Sequence, residues 1–271
     1  GLEAACTAAE VGCNTFLLEK SNELGGLASL ISKIPAKNRL ADFPHYLMHR
    51  AEQLDNLYIF KNTEGTPENI RKFHPNIIVS STGSAPLLPP IAGLKDRIDN
   101  ENHNIYSILG MISHINDFPK DLEGKKVVVV GGGAVGLDVV EFFADRNADI
   151  SIVEMMDQIG RDLDPVSKND TKTMMKKHNV HQLTKTALLE VKDSSFLVKG
   201  DGEPYELPFE YGFVCLGMRA QGQLFAELSD AFVSDDVEIL NIGDSQRARR
   251  IIDGTQEGRN ILTVLEQKGY L

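Results

Sequence analysis

The chain has 271 residues, 42% of them hydrophobic, which is enough to bury one large core or two modest ones, and we expect two domains. Its formal net charge of −11, from 28 basic and 39 acidic residues, argues against nonspecific binding to nucleic acid or to an anionic membrane. No apolar run approaches the ~18 residues that cross a bilayer, and no signal peptide is visible, so we expect a cytoplasmic protein.

The cysteines and histidines lack the spacings of the common redox and metal sites. Cys6, Cys13 and Cys215 form no CxxC or CxxxxC pair, and three scattered thiols cannot supply the four ligands of an ordinary iron–sulfur cluster. His45 and His49 are four residues apart on a predicted helix, but HYLMH lacks the Glu of HExxH and no third ligand is evident. We expect buried or idle thiols in a reducing compartment and no metal site.

The first segment is predicted to begin within a structural unit. GLEAACTAAE has an apolar helix pattern that starts on the first residue. A short apolar strand, FLL with its neighbour Thr15, follows and ends at Glu19.

The next elements alternate between helices and strands. Residues 40–54 are predicted to be a helix, and residues 58–60 (YIF) a strand. Thr66 is a predicted N-cap for a short helix in TPENIRKF. The run IIVSSTG (77–83) is predicted to be the next parallel strand with the turn that follows it.

The clearest motif lies in KKVVVVGGGAVGLDVVEFFADRNADISIVE, residues 125–154. The run VVVV is typical of a strand that is buried on both faces of a parallel sheet. Gly131, Gly133 and Gly136 follow with the spacing GxGxxG, and a helix pattern and a second short strand, ISIV, end at Glu154. Gly131 permits the tight turn, Gly133 lets a pyrophosphate approach the backbone, and Gly136 lets helix and strand pack closely.

This motif predicts an NADH site. The phosphates would lie on the free amides at the helix N-terminus, around Ala134 and Val135. Glu154 would accept hydrogen bonds from the ribose hydroxyls and repel a 2′-phosphate, which favours NADH over NADPH. A glycine-rich turn without a ligand is the less favoured alternative.

The motif is predicted to occur twice. An offset of 135 residues places Gly136-Leu137-Asp138 on Gly1-Leu2-Glu3, and Glu154 on Glu19. Gly1 is then the last glycine of a first dinucleotide motif, whose first strand and first two glycines lie before residue 1. The sequence therefore predicts a fragment of a longer protein, with chance similarity of two apolar helices as the alternative.

The rest of the chain completes the second unit and returns to the first. Residues 166–178 are predicted to be an amphipathic helix, and residues 188–210 a small antiparallel meander. EYGFVCLG (210–217) is the closing strand, and residues 252–267 form the last helix.

Several segments together resemble a known family. These are EKSNELGG (19–26), PNIIVSSTGSAPLLPPIAGL (75–94), and NIGDS (241–245) followed by IIDGTQEGRNI. The chain looks like the two-nucleotide flavoprotein module, and most closely resembles the C-terminal half of the old-yellow-enzyme-like iron–sulfur flavoenzymes. That group includes 2,4-dienoyl-CoA reductases, 2-enoate reductases, trimethylamine dehydrogenase and bile-acid-inducible NADH:flavin oxidoreductases.

The resemblance implies an α/β fold of two Rossmann-like, three-layer ββα domains, one inserted in the other. The FAD-type domain would comprise residues 1–103 and 228–271, with its N-terminal strand outside the chain, and the NAD-type domain residues 104–227. The residues that the resemblance and the repeat assign to FAD are Gly1, Glu19, Lys20, Gly25, Gly26, Thr82, Gly83, Gly243 and Asp244. Those assigned to NADH are Gly131, Gly133, Ala134, Val135, Gly136, Glu154 and Gly217.

The resemblance also implies an activity. NADH would pass hydride to FAD, and no side chain of this chain need act as acid or base, so no catalytic residue is assigned. An N-terminal barrel outside this chain would carry FMN and a 4Fe–4S centre and would reduce an activated C=C bond. Two alternatives stay open: a stand-alone NADH:acceptor reductase, and a non-catalytic scaffold that holds only ADP. The final substrate and the oligomeric state stay open as well.

Overall fold

The computed structural model describes residues 1–271 and confirms an α/β fold with ten α-helices and fourteen strands. The strands are β1 Thr15–Leu18, β2 Leu57–Phe60, β3 Ile77–Ser80, β4 Ser84–Pro86, β5 Ile105–Tyr106, β6 Lys126–Val130, β7 Asp149–Val153, β8 His181–Leu183, β9 Ala187–Val191, β10 Ser195–Lys199, β11 Tyr205–Pro208, β12 Tyr211–Val214, β13 Met218–Ala220 and β14 Glu238–Asn241. The helices are α1 Leu2–Glu10, α2 Gly26–Ile31, α3 Asp42–Glu52, α4 Pro67–Arg71, α5 Leu94–Arg97, α6 Ile108–Ser113, α7 Ala134–Ala144, α8 Pro165–Lys177, α9 Gln223–Ala231 and α10 Ile251–Gln267. None of these helices combines the length and the apolar character that a membrane-spanning segment needs.

The chain forms two compact units. The first unit comprises residues 1–32, 37–85 and 218–271, and the second comprises residues 33–36 and 86–217. The sequence predicted the boundaries at 103/104 and 227/228. The observed division falls earlier at both places because Leu94 packs with Phe196 in the core of the second unit, and because the Gln221 N–H donates to the Gly83 carbonyl in the first.

The second unit is built on a continuous parallel sheet in the order β5-β12-β6-β7-β8. The central strand β6 contains the valine run, and Val127 and Val129 are fully buried. A buried strand with neighbours on both sides has no solvent face, which explains the run without alternation. The predicted meander is present as the antiparallel sheet β11-β10-β9.

The first unit has its parallel strands in two separate pairs, β1–β2 and β3–β14. Helix α1 packs on both pairs. Its residues Ala5 and Ala9 lie in a cluster with Leu17 of β1, while Ala4 lies in a cluster with Val79 of β3. The first unit has no antiparallel layer between β2 and β3, where the short helix α4 lies instead.

Local sequence signals predicted most elements well. The Thr66 hydroxyl accepts the Asn69 N–H at 3.2 Å, so the predicted cap of α4 is confirmed. The helix predicted for residues 40–54 is shorter, Asp42–Glu52, because Pro35–Ala41 forms a separate 3₁₀ turn.

Candidate functional site: two nucleotide-binding turns

The three glycines after β6 differ in what surrounds them. Gly131 has a φ of +107°, and a Cβ at this position would lie 2.1 Å from the Cys215 carbonyl oxygen. A Cβ on Gly136 would lie 1.9 Å from the Gly131 carbonyl oxygen, whereas one on Gly133 would meet nothing within 4 Å. The turn therefore requires glycine sterically at Gly131 and Gly136, while Gly133 leaves open space above the backbone.

The N-terminus of α7 is suited to an anion. No side chain caps this helix, and the first helical hydrogen bond runs from the Leu137 N–H to the Gly133 carbonyl. The amides of Ala134, Val135 and Gly136 therefore have no intrahelical acceptor. These donors and the positive end of the helix dipole meet the open space at Gly133, so the residues present fit a dinucleotide pyrophosphate.

Glu154 lies at the end of β7 beside this turn. Its Oε2 accepts the Gly132 N–H at 2.7 Å, and its Oε1 accepts the Met156 N–H at 2.7 Å. The bond to Gly132 fixes the carboxylate at the edge of the glycine turn. The sequence predicted this proximity from the acid's distance along the chain, but not the bond itself, which depends on the fold of the turn.

Glu19 of the first unit has a closely similar setting. Its Oε1 accepts the N–H of Ser21, two residues on, at 2.8 Å, as Glu154 does with Met156. The carbonyls of both acids accept an N–H at 2.9 Å, from Thr63 and Thr186 respectively.

The backbone after the next strand repeats as well. Asn62 and Lys185 both have a φ of +50°, and each precedes a threonine whose hydroxyl donates to a carbonyl two residues before it. The structure therefore contains the repeat that the sequence predicted.

The other residues predicted around the first acid lie on a turn that begins at Glu19. The Lys20 side chain is exposed, with Nζ 3.4 Å from Glu64. Gly25 and Gly26 have φ values of +98° and +54°, and Gly25 caps α2. A Cβ on Gly1 would lie 2.8 Å from the Ser81 hydroxyl, so the start of α1 lies beside the end of β3.

Thr82 and Asp244 are held by hydrogen bonds within the first unit. The Thr82 hydroxyl donates to the Gln221 carbonyl at 2.5 Å. The Asp244 carboxylate accepts from the Ser84 hydroxyl and from the Arg249 N–H, both at 3.0 Å. Sequence reasoning missed Ser84, whose role becomes visible only when distant segments are brought together.

The turn at Gly243 is fixed by a second carboxylate that the sequence did not reveal. The Gly243 N–H donates to Glu257 of α10 at 2.6 Å, and Glu257 also pairs with the Arg249 guanidinium. The Arg250 Nε lies 3.6 Å from Asp253. Arg249 and Arg250 therefore have local acidic partners, while Arg247 is exposed.

The turn Cys215–Gly217 follows β12 and packs against Gly131. Gly217 is exposed, with a φ of +103°. Cys215 is a free thiol, as are Cys6 and Cys13. Burial raises the pKa of all three thiols, that of Cys215 to about 12. A thiol with a raised pKa forms little thiolate at neutral pH, so these cysteines are poor nucleophiles.

A buried ion-pair network anchors α1. Glu3 accepts from Arg50 at 3.0 Å and from Arg259 at 2.8 Å, and Arg50 also pairs with Glu10. Burial opposes ionisation of Glu3, but the hydrogen bonds from Arg259 and Arg50 outweigh it and hold the pKa of this carboxyl below its ordinary value. The network ties α1 to α3 and α10.

The parallel sheet, the glycine turn and the acid beside it are the elements of a dinucleotide-binding fold. The sequence profile of the pyridine nucleotide-disulphide oxidoreductase family matches residues 48–239, more than half of the chain, and the chain belongs to this family. The family binds FAD and NAD(P)H.

The chain is also similar to individual proteins of known name. The chain is 27% identical to an NADH oxidase from Thermoanaerobacter brockii, over 95% of this chain and 38% of that protein. Among solved structures, it is similar to a 2-naphthoyl-CoA reductase with a TM-score of 0.80 and 23% identity, over 96% of this chain and 37% of the other. It is also similar to histamine dehydrogenase from Rhizobium sp. 4-9, with a TM-score of 0.83 and 17% identity, over 98% and 40%.

These comparisons confirm the resemblance seen in the sequence. The chain spans about two fifths of the length of the relatives it matches. Both solved structures are less than 25% identical to this chain, so they support its fold and not its substrate.

Proposed function

We propose that this chain is the electron-input module of a longer flavoprotein and takes hydride from NADH. The observation that carries the proposal is the turn of the second unit, where open space at Gly133 faces the uncapped N-terminus of α7 and Glu154 lies at its edge. In this proposal the second unit is the NAD-type domain and the first unit is the FAD-type domain.

The residues of the two turns bind and orient the nucleotides. The amides of Ala134, Val135 and Gly136 bind the NADH pyrophosphate, and Glu154 orients the adenine ribose and repels a 2′-phosphate. Gly217 leaves space beside this turn. In the first unit, Gly1, Glu19, Lys20, Gly25, Gly26, Thr82, Gly83, Gly243 and Asp244 are the residues proposed for FAD. When bound, FAD supplies the hydride-accepting chemistry, so this chain's residues bind and orient and no side chain acts as acid or base.

The fate of the electrons is a proposal about the longer protein. We take the resemblance to imply a barrel with FMN and a 4Fe–4S centre that reduces an activated C=C bond. The name of the relative from Thermoanaerobacter brockii, an NADH oxidase, supports NADH as the electron donor. We propose a reducing, cytoplasmic setting for the protein, as expected from the sequence.

Calorimetric titration of the purified chain tests the nucleotide site. We expect NADH to bind at least about tenfold more tightly than NADPH, and Glu154→Gln to reduce this preference because the repulsion of a 2′-phosphate is lost. Asp157→Asn, which changes an exposed acid three residues away, is the matched control and should leave the preference unchanged. Binding of ADP without binding of NADH would contradict the proposal and support a non-catalytic scaffold.

In the longer protein, anaerobic rapid mixing with NADH tests electron input. Bleaching of the flavin absorbance is expected, and its absence would show that this module does not deliver hydride.

A further inference from the structure

One loop of the second unit begins and ends at its glycine turn. At the start of the loop, Glu154 accepts the Gly132 N–H at 2.7 Å. At its end, the Gly160 N–H donates to the Gly132 carbonyl at 2.7 Å, and a Cβ on Gly132 would lie 3.1 Å from the Ile159 side chain. Residues 155–158, which we call the adenosine loop, are therefore held beside the turn at the end where the proposed site receives the adenosine of NADH.

The adenosine loop contains the two most exposed methionines of the chain. Met155 is 68% exposed and Met156 is 41% exposed. The chain has seven methionines, and the others are buried or half-buried: Met48, Met111, Met174, Met175 and Met218. A reagent in solution therefore reaches the sulfur atoms of the adenosine loop more readily than those of the rest of the chain.

Hydrogen bonds fix the backbone of the adenosine loop although these two side chains are exposed. The Met156 N–H donates to Glu154 Oε1 at 2.7 Å, and the Met156 carbonyl accepts the Lys185 N–H at 2.9 Å. The loop is thereby tied to the end of β7 and to the segment that follows β8. Because Met156 binds the carboxylate proposed to orient the ribose, both thioethers are held next to the proposed position of the adenine ring.

The two thioethers suit contact with an adenine ring. A methionine side chain is apolar, flexible and polarisable, and its sulfur makes favourable contacts with aromatic rings. An adenine whose ribose is bound by Glu154 lies at the adenosine loop, where Met155 and Met156 are the exposed apolar side chains. Oxidation of the sulfur gives a sulfoxide, which is polar, so an apolar contact is replaced by a group that prefers water.

We propose that Met155 and Met156 make NADH binding by the second unit sensitive to peroxide, an inference that rests on the proposed NADH site. Hydrogen peroxide transfers one oxygen atom to each thioether sulfur. An S–O bond forms and the O–O bond breaks, the sulfur is oxidised by two electrons, and the departing hydroxide takes up a proton and leaves as water. The sulfoxides weaken the contact with adenine, so NADH binding falls when peroxide is present and returns when the sulfoxides are reduced.

Calorimetric titration with NADH before and after peroxide treatment tests this inference. Peptide mass spectrometry follows the treatment, and sulfoxide is expected first at Met155 and Met156. We expect the dissociation constant of NADH to rise by about fivefold once both residues are oxidised, because two contacts with the adenine are weakened. Treatment with methionine sulfoxide reductases should restore the original affinity, which separates methionine oxidation from oxidation of the three cysteines.

Two variants identify the sulfur atoms that are responsible. The double variant Met155→Leu, Met156→Leu has no sulfur in the adenosine loop, so its dissociation constant for NADH should be the same before and after peroxide, whatever its starting value. The matched control is Met174→Leu, which removes a half-buried sulfur from α8. This control should lose affinity on peroxide treatment by the same factor as the original chain.

Two results would overturn the inference and leave the NADH site standing. One is an unchanged NADH affinity in a chain whose Met155 and Met156 are fully oxidised. The other is an equal loss of affinity in the double leucine variant, which would trace the sensitivity to another residue. A chain that fails to bind NADH before any treatment would contradict the proposed function itself, and this inference with it.

Discussion

Strands β1 and β7 occupy equivalent positions in the two units but differ in burial. Ile152 and Val153 of β7 are 0% and 1% exposed, while Leu17 and Leu18 of β1 are only half-buried. The local sequence pattern is similar, so the difference comes from the neighbours: β7 lies between β6 and β8, whereas β1 pairs only with β2. Burial of a strand is therefore set by its neighbours in the sheet as well as by its own sequence.

The largest loss of stability that tests the difference between the two units is expected for a substitution in the glycine turn of the second unit. Gly131→Ala places a Cβ against the Cys215 carbonyl in a left-handed backbone conformation, and we expect a loss of at least about 3 kcal/mol in the stability of β6. Gly133→Ala meets no atom and has an ordinary extended φ, so the free energy of unfolding should change by less than about 1 kcal/mol. Amide exchange along β6 measures both.

The pair of glycine variants also separates folding from binding. Gly133→Ala should weaken NADH binding although it leaves the fold intact, because its methyl group fills the space above the turn. Equal stability of the two variants would show that the turn is not sterically constrained at Gly131.

An intermediate effect is expected in the first unit at the Glu3 network. Glu3→Gln removes the charge between Arg50 and Arg259, and we expect a loss of about 2 kcal/mol at neutral pH. Because the folded pKa of Glu3 is lowered, its contribution is complete above the ordinary value of 4.5 and is lost as the pH falls through the folded pKa.

Urea unfolding as a function of pH tests whether the stability contributed by Glu3 is lost at low pH. The stability difference between the original chain and Glu3→Gln should be constant above pH 4.5 and should shrink below it. Glu266→Gln, a change at an exposed acid on α10, is the control. A difference that persists unchanged at low pH would mean that packing, rather than charge, explains the loss.

The smallest change in stability is expected at the two equivalent residues whose backbone is in the left-handed conformation. Lys185 and Asn62 both have a φ of +50°, a conformation that asparagine tolerates better than lysine. Lys185→Gly should therefore stabilise its unit by up to about 1 kcal/mol, and more than Asn62→Gly stabilises the other. The opposite ranking, measured by urea unfolding, would show that the two backbone turns are not equivalent.

The sequence predicted the features that depend on neighbouring residues. The valine run predicted β6, Thr66 predicted the start of α4, and the offset of 135 residues predicted the shared setting of Glu19 and Glu154. These signals come from neighbouring residues or from a repeat at a constant offset in the sequence. They can therefore be identified without knowing the fold.

The features that the sequence did not reveal depend on contacts between distant segments. Glu257 binds the Gly243 N–H and Ser84 binds Asp244, and neither pair has a spacing that marks it. The packing of Leu94 against Phe196, which places residues 86–103 in the second compact unit, is another contact between distant segments.

The central claim is that the second unit holds NADH at its glycine turn. Amide hydrogen exchange of this chain with and without saturating NADH tests it most directly, because both units are observed in one experiment. We predict slower exchange at Gly132, Ala134, Val135 and Gly136 on NADH binding, with the amides of β1 and β3 unchanged. NADH binding without protection of that turn, or with protection confined to the first unit, would contradict the account.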